Sequence, residues 1–195
     1  MHIQCHPSSG KLPYSVQPRK TAKKLAAQEL FEYAVKYLGM RACSTDELKA
    51  RLRLRAARAS DVEPTIDRLK EINYLNDERF AESYAANRLG NEGFGRMRVL
   101  NDLRGRRVPS KLAEKAVEQV FEGRTEAELV DAFIERRMPS IAKGGKIEDA
   151  KILARAYGRL RRAGFSSGGS LAALKRIAAR PDDLLEPPDE DEVQD

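Results

Sequence analysis

Apolar residues recur along this 195-residue chain at steps of three and four positions, with polar and charged residues between them. That spacing places the apolar side chains on one face of a helix. Successive runs of this kind include those that begin at Leu30, Leu48, Ile66, Phe80, Met97, Leu112, Leu129, Ile152 and Leu171. The first three runs show no alternation at period two, which would indicate a half-buried strand. The pattern predicts an all-α fold.

Residues that favour helix starts stand in front of several of these runs. Capping boxes, with glutamate three positions further on, are expected at Ser44, Ser60 and Thr125. Single N-caps are expected at Asn76 and Ser110. These residues divide the apolar pattern into short helices rather than a few long ones.

The chain also contains an internal repeat. The repeat is seen when Leu52, Leu103 and Leu160 are aligned as anchors. Apolar residues then stand at the same distances along the chain from each anchor, and an arginine follows each anchor directly. The matching positions are Leu48, Val99 and Ala156; Ile66, Val117 and Leu174; and Leu69, Val120 and Ile177. A period of about fifty residues with three helices per unit indicates an array whose units stack on their neighbours. The alternative is a single bundle of six to nine helices.

The repeat predicts five segments along the chain. Residues 1–24 form a basic tail expected to be disordered, and residues 181–195 form an acidic tail of the same kind. Between them lie three helical units, at residues 25–75, 76–123 and 124–180. Tandem three-helix units of this kind predict an elongated, curved array.

The charge is unevenly distributed. The chain has a net charge of +6, but its last fifteen residues hold eight Asp and Glu and no Lys or Arg, so the remainder is more basic than the total suggests. A basic body with an acidic tail is typical of proteins that meet nucleic acid or an acidic protein surface. The alternative is a basic protein that its own tail keeps soluble. We also expect the tail to compete with DNA for the basic body.

Arginines cluster on the second helix of each unit and on the turn after it. The candidate partner- or nucleic-acid-binding residues are Arg51, Arg53, Arg55, Arg96, Arg98, Arg104, Arg106, Arg107, Arg159, Arg161 and Arg162. Arginine suits bidentate contacts with phosphates and carboxylates. A single arginine near the C-terminal end of a helix could instead be present because it complements the helix dipole. This reason accounts less well for three or four arginines on one helix.

Several classes of protein find little support in the sequence. Both histidines, His2 and His6, lie in the predicted N-terminal tail, and there is no phosphate-binding Gly-x-x-x-x-Gly-Lys-Ser/Thr loop, so we expect neither an enzyme nor a cofactor or metal site. No apolar run approaches the length of a membrane span, and no secretion signal is evident, which together predict a cytoplasmic protein. Cys5 and Cys43 are then expected to be free thiols.

A set of these residues resembles the bacterial RecX family of regulatory proteins. The matching residues are Arg41, Ser44, Glu47, Leu48, Leu52, Leu69, the run Tyr74–Ala81, Tyr84, Arg88, Gly93–Gly95, Leu103, Arg104 and Leu160–Ser166. The resemblance covers residues 28–180, with Asn73 standing where the family commonly has Gly and an insertion around Lys143–Lys146.

The resemblance implies a curved repeat molecule, acting in DNA repair and the SOS response, that binds the RecA recombinase filament. It implies that such a protein limits the extension of the filament and its ATPase, strand-exchange and coprotease activities. It implies no catalytic residues in the chain itself. We expect a monomer that binds single- or double-stranded DNA weakly at most.

Two alternatives of other classes stay open. The first is direct binding of double-stranded DNA by a helix-turn-helix built from Gly95–Arg104 and Ser110–Phe121. The second helix of that pair has charges of both signs, which does not favour a reader of the DNA groove. The other alternative is a metal-dependent nuclease built from scattered carboxylates.

Overall fold

A computed structural model describes residues 23–144 and 147–179, and every regular element within these two ranges is helical. The helices are α1 (Ala27–Met40), α2 (Thr45–Arg55), α3 (Val62–Glu71), α4 (Asp77–Asn87), α5 (Arg96–Gly105), α6 (Ser110–Val120), α7 (Glu126–Arg137), α8 (Pro139–Lys143), α9 (Ala150–Arg162) and α10 (Ser167–Ile177). A 3-10 turn, Ala59–Asp61, leads into α3, and a π-helical turn, Arg88–Glu92, follows α4. The all-α prediction is confirmed.

Three of the expected caps form. The side-chain oxygens of Ser44, Asn76 and Thr125 each accept a hydrogen bond from the amide three residues further on, at 3.1, 3.0 and 3.3 Å. At Thr125 the box is complete, because Glu128 in turn accepts from the Thr125 amide at 3.0 Å. These bonds satisfy amides that the first turn of a helix leaves without partners.

Two predicted caps are wrong. Ser60 lies inside the 3-10 turn and Asp61 already has helical dihedral angles, so neither residue has the extended backbone that an N-cap requires. Ser110 is the first residue of α6 rather than its cap, since the extended Pro109 precedes it and accepts the first helical bond, from the Ala113 amide.

The core consists of three clusters of buried side chains. One draws on residues 30–75, the second on residues 81–121 and the third on residues 130–178. The anchors Leu52, Leu103 and Leu160 are fully buried, one in each cluster. Of the other repeat positions, Val120 and Ile177 are half-buried against their clusters and the rest are buried. The sequence repeat therefore corresponds to a repeated core.

Each cluster draws its buried residues from one predicted unit. The boundaries at 25–75, 76–123 and 124–180 stay a prediction. Apart from residues 23 and 24, the two predicted tails lie outside the described residues. In the third unit the short helix α8 follows α7 directly, and its first residue, Pro139, is a proline already fixed near helical φ.

The joint between the first and second units is polar. The Ser44 hydroxyl donates to the Arg106 carbonyl at 2.6 Å, and the Thr45 amide donates to Asp77 at 2.7 Å. A salt bridge joins Arg106 to Glu47 at 3.3 Å, with both side chains mostly buried.

The joint between the second and third units depends on two glycines. The Gly95 amide donates to the Ala163 carbonyl at 2.8 Å, and Gly164, at φ +92°, lies against Arg98. Phe94 packs against the second and third core clusters at once. Side chains at these glycines would collide, so their absence lets α5 approach the turn after α9 closely enough to fix the relative position of the two helices.

Candidate functional site

The arginines of α2 contact their own unit. Arg51 donates to the Tyr33 hydroxyl at 2.8 Å and lies 4.3 Å from the centre of the Tyr37 ring. Arg55 lies 5.1 Å from the centre of the Tyr33 ring. Arginines over aromatic faces are held by cation–π attraction. These contacts hold α2 against α1 and occupy part of each guanidinium.

The arginine that follows each anchor has a structural role in the first two units. Arg53 pairs with Glu63 at 3.8 Å and Arg104 with Glu114 at 3.2 Å, and in both cases the glutamate is ten residues further along the chain. Each pair ties the second helix of its unit to the third. In the third unit Arg161 donates instead to the carbonyl of Phe165 at 2.8 Å, across the turn after α9.

Glu63 also bonds to Lys49 at 2.8 Å. That hydrogen bond is the main cause that holds the pKa of Glu63 below its usual value, with the charges of Lys49 and Arg53 acting in the same direction. The carboxylate is therefore stabilised in its charged form at the start of α3.

Three of the arginines on and after α5 are engaged as well. Arg96 donates to the Phe121 carbonyl at 3.0 Å and Arg98 pairs with Asp102 at 3.1 Å. Arg106 belongs to the first joint. The structure therefore uses most of the predicted arginines of the first two units to hold helices together.

Arg107 differs from these arginines. It is exposed, and its backbone has φ +59°, in the left-handed region that disfavours most side chains. It stands four residues after Leu103, as Gly164 stands four after Leu160. Within the described chain its side chain has no hydrogen-bond or ion-pair partner.

Helix α9 carries a row of cations on its outer face. Lys151, Arg155, Arg159 and Arg162 follow one another at steps of four, four and three, all exposed, while Leu153, Ala156 and Leu160 face the core. We call these four residues the α9 basic stripe. At a rise of 1.5 Å per residue the stripe is about 16 Å long. No side chain of the stripe pairs with a side chain or carbonyl of the described residues.

The C-terminal end of the stripe opens into a cleft between the second and third units, which we call the joint cleft. It has a volume of about 270 Å³ and is lined by Glu92, Phe94, Arg98, Phe133, Arg137, Arg159, Arg162 and Ala163. Its one acidic lining residue, Glu92, is bound by Arg137 at 2.7 Å. Four arginines against one paired glutamate make the joint cleft strongly positive, with phenylalanine rings on its walls.

The structure thus separates the predicted arginines into two sets. Arg107, Arg159 and Arg162 are available to an outside ligand, whereas the other eight contact the chain itself. Lys151, Arg155 and Arg137 were absent from the candidates predicted from the sequence. The spacing of Lys151 from Arg155 and Arg159 could have indicated the first, but Arg137 joins the site only through the packing of α7 against the π-helical turn.

The other potential sites of the described chain provide fewer arguments for binding a ligand. A cleft of about 410 Å³ at the first joint is lined by Arg41, Tyr74, Arg79 and Phe80, among others. Cys43 beside it is a free, buried thiol whose pKa is raised to about 11, first by burial and then by Glu47. Across residues 23–144 and 147–179 no group of three or more His, Cys, Asp or Glu could hold a metal ion. Over the same ranges, no helix has both the length and the apolar character needed to cross a membrane.

Comparisons with known proteins find relatives in one family. The model of the family described as "RecX, second three-helix domain" matches residues 76–117, which include α4 and α5 and most of α6. A regulatory protein RecX of Syntrophotalea carbinolica is 30% identical over 134 residues, 69% of this chain and 86% of that protein. The regulatory protein RecX of Deinococcus radiodurans is 29% identical over 177 residues, 90% and 79% of the two chains.

A solved structure agrees in fold. The crystal structure of RecX from Lactobacillus salivarius superposes with a TM-score of 0.61 at 17% identity, covering 77% of this chain and 96% of that one. At this identity the likeness concerns the fold, and it agrees with an all-α repeat array.

Proposed function

The chain belongs to the RecX family of regulatory proteins, and we propose that it acts by binding the RecA recombinase filament and restraining its ATPase, strand-exchange and coprotease activities. The α9 basic stripe is the observation that carries the proposal. It presents four cations in a row with no partner in the described chain, next to a cleft lined by further arginines. A row of this kind suits a long, negatively charged surface more than a small molecule.

The structure changes which arginines we propose as contacts. Arg53 and Arg104 each pair with a glutamate on the next helix, so we rank them below the unpaired cations of α9 as contacts. Arg107, Arg159 and Arg162 keep their places in the proposed interface, and Lys151 and Arg155 join them. Arg107 adds a further argument, since a non-glycine residue held at positive φ on an exposed turn is a feature found often at functional sites.

The proposal is tested by the ATPase activity of RecA on single-stranded DNA. A stripe variant carries Lys151→Gln, Arg155→Gln, Arg159→Gln and Arg162→Gln. A control variant with the same change in net charge carries Lys36→Gln, Lys70→Gln, Lys111→Gln and Arg124→Gln, all exposed positions away from α9.

We expect the wild-type chain and the control variant to inhibit the ATPase equally. The stripe variant should need about tenfold more protein for the same inhibition, because four exposed charges at a few tenths of a kcal/mol each sum to more than about 1 kcal/mol. Equal inhibition by the stripe variant would remove α9 from the interface. A wild-type chain without any effect on the filament would contradict the proposed function itself.

An alternative function is direct binding of double-stranded DNA through α5 and α6. On α6, Glu114 is paired with Arg104 and Lys115 with Glu78, so the helix has few uncommitted cations for a DNA groove. Binding to naked duplex as tight as to the filament, with steep salt dependence, would favour this alternative.

A further inference from the structure

The C-terminal segment of the chain begins beside the α9 basic stripe. The Ile147 amide donates to the Ile177 carbonyl, and the Ala179 amide donates to the Ile147 carbonyl, both at 2.9 Å. Residue 147 lies three positions before the start of α9. The last described residues are therefore held next to the Lys151 end of the stripe, opposite to the joint cleft.

The segment that follows has the complementary charge. Residues 181–195, outside the described part of the chain, have the sequence PDDLLEPPDEDEVQD, with eight acidic residues and no basic residue. Its acidic residues form two groups separated by the pair Pro187-Pro188. The stripe and the joint cleft are likewise two connected regions of positive charge.

The segment is long enough to reach both regions. Fifteen residues span up to about 50 Å when extended, against about 16 Å for the stripe. Its three prolines favour extended backbone and oppose a helix that would shorten this reach. Being part of the same chain, the segment is present at an effective concentration on the order of millimolar, so even weak individual ion pairs can hold it.

The arginines of α2 and α5 are less open to such a segment. On α2 and α5 the arginines already have carboxylate, carbonyl or aromatic partners. On α9 the four cations of the stripe have none in the described chain. Charge complementarity and proximity thus select the same surface.

We propose that the α9 basic stripe and the joint cleft form a binding site for an extended acidic peptide, and that residues 181–195 of the same chain occupy it. Asp182 and Asp183 lie against the Lys151 end, and the group from Asp189 to Glu192 reaches the arginines of the joint cleft. An outside partner then has to displace this segment before it gains the stripe. Binding by the stripe becomes stronger when a competing cationic surface draws the segment away.

The test places a spin label in the segment of the full-length chain. Gln194→Cys supplies the attachment site, and Cys5→Ser leaves the buried Cys43 as the only other thiol. The readout is the broadening of backbone amide signals by the label, compared between wild-type background, stripe variant and control variant. No RecA is present, so the result does not depend on the proposed function.

At about 50 mM salt, where exposed charges still interact over more than 10 Å, we expect broadening of the amides of α9 and of the joint cleft. The broadening should fall to background at about 0.5 M salt and in the stripe variant, and it should persist in the control variant. Broadening spread evenly over the surface, confined to another patch, or retained in the stripe variant would overturn the proposal.

A second arm distinguishes the other possible occupant. A thymidine oligonucleotide is added to the labelled chain at low salt. We expect the oligonucleotide to shift the amide signals of α9 and to reduce their broadening by the label over the same range of concentration. The reason is that the oligonucleotide and the segment compete for one site. If the oligonucleotide shifts α9 signals that the label never broadened, the stripe binds phosphates rather than the segment, and the proposal is wrong.

Discussion

Replacing Gly164 by alanine should open the joint between the second and third units. Gly164 has φ +92°, which L side chains rarely adopt, and an added Cβ would overlap the backbone nitrogen and the Cβ of Arg98. The left-handed backbone costs an alanine about 1–2 kcal/mol. Relief of the overlap by movement of α5 or α9 costs about 1–3 kcal/mol more. We therefore expect Gly164→Ala to lower the free energy of unfolding by about 2–5 kcal/mol.

Two further glycines separate these contributions. Gly95 has an ordinary φ of −74°, but a Cβ there would lie 2.5 Å from the Gly164 carbonyl oxygen. Gly95→Ala therefore tests the steric overlap without the backbone strain, and it should lower the free energy of unfolding by about 1–3 kcal/mol. A Cβ at Gly168 in α10 meets nothing within 4 Å. Gly168→Ala should therefore stabilise the chain by about 0.5–1 kcal/mol, because alanine loses less conformational freedom in a helix.

The assay is urea unfolding followed by helical circular dichroism for the wild type and the three variants. Because the joint positions Arg98 next to Arg162, both destabilising variants should also change the amide signals of the joint cleft. A Gly164→Ala chain as stable as wild type, with unchanged signals in the joint cleft, would show that the two units are not held by this contact.

Three other predictions concern the core, a thiol and a carboxylate. Leu103→Ala should lower the free energy of unfolding by about 2–5 kcal/mol in the same urea assay, because a fully buried anchor leaves a cavity, and a loss below about 1 kcal/mol would contradict the repeat assignment. In a Cys5→Ser chain the remaining thiol, Cys43, should resist a thiol reagent at pH 8 and react once urea unfolds the chain, since burial raises its pKa to about 11; rapid labelling of the folded chain would disprove this. The pKa of Glu63 lies below its ordinary value of 4.5, so the stability from its bond with Lys49 is complete above that value and is lost as the pH falls through the lower, folded pKa. The difference in unfolding midpoint between wild type and Glu63→Gln should therefore shrink in acid, and a constant difference from pH 7 to pH 2 would refute the link.

The parts of the fold that depend on local chemistry could be predicted from the sequence. The buried anchors followed from spacing, and the caps at Ser44, Asn76 and Thr125 from side-chain type. Asn73 adopts φ +57°, and asparagine is among the residues that tolerate this region.

The parts of the fold that depend on contacts between units could not be predicted from the sequence. Nothing in the local sequence shows that Gly95 and Gly164 meet, or that Arg137 reaches Glu92. The same holds within units. Arg53 and Arg104 were predicted as binding residues from the sequence, but in the structure each pairs with a glutamate on the next helix.

The candidate site was therefore predicted only in part. Sequence spacing identified Arg159 and Arg162 as candidates, but it could not distinguish them from arginines that pair within the chain. Such a distinction requires the position of every carboxylate and carbonyl nearby, which is a property of the packed molecule.

Binding to a preformed RecA filament on single-stranded DNA is the most direct test of the central claim. The chain is labelled at Cys5 and titrated with filament, and the dissociation constants of wild type, stripe variant and control variant are compared by fluorescence anisotropy. We predict that the wild type and the control variant bind with the same dissociation constant and that the stripe variant binds about tenfold more weakly. Equal dissociation constants for all three chains would contradict it.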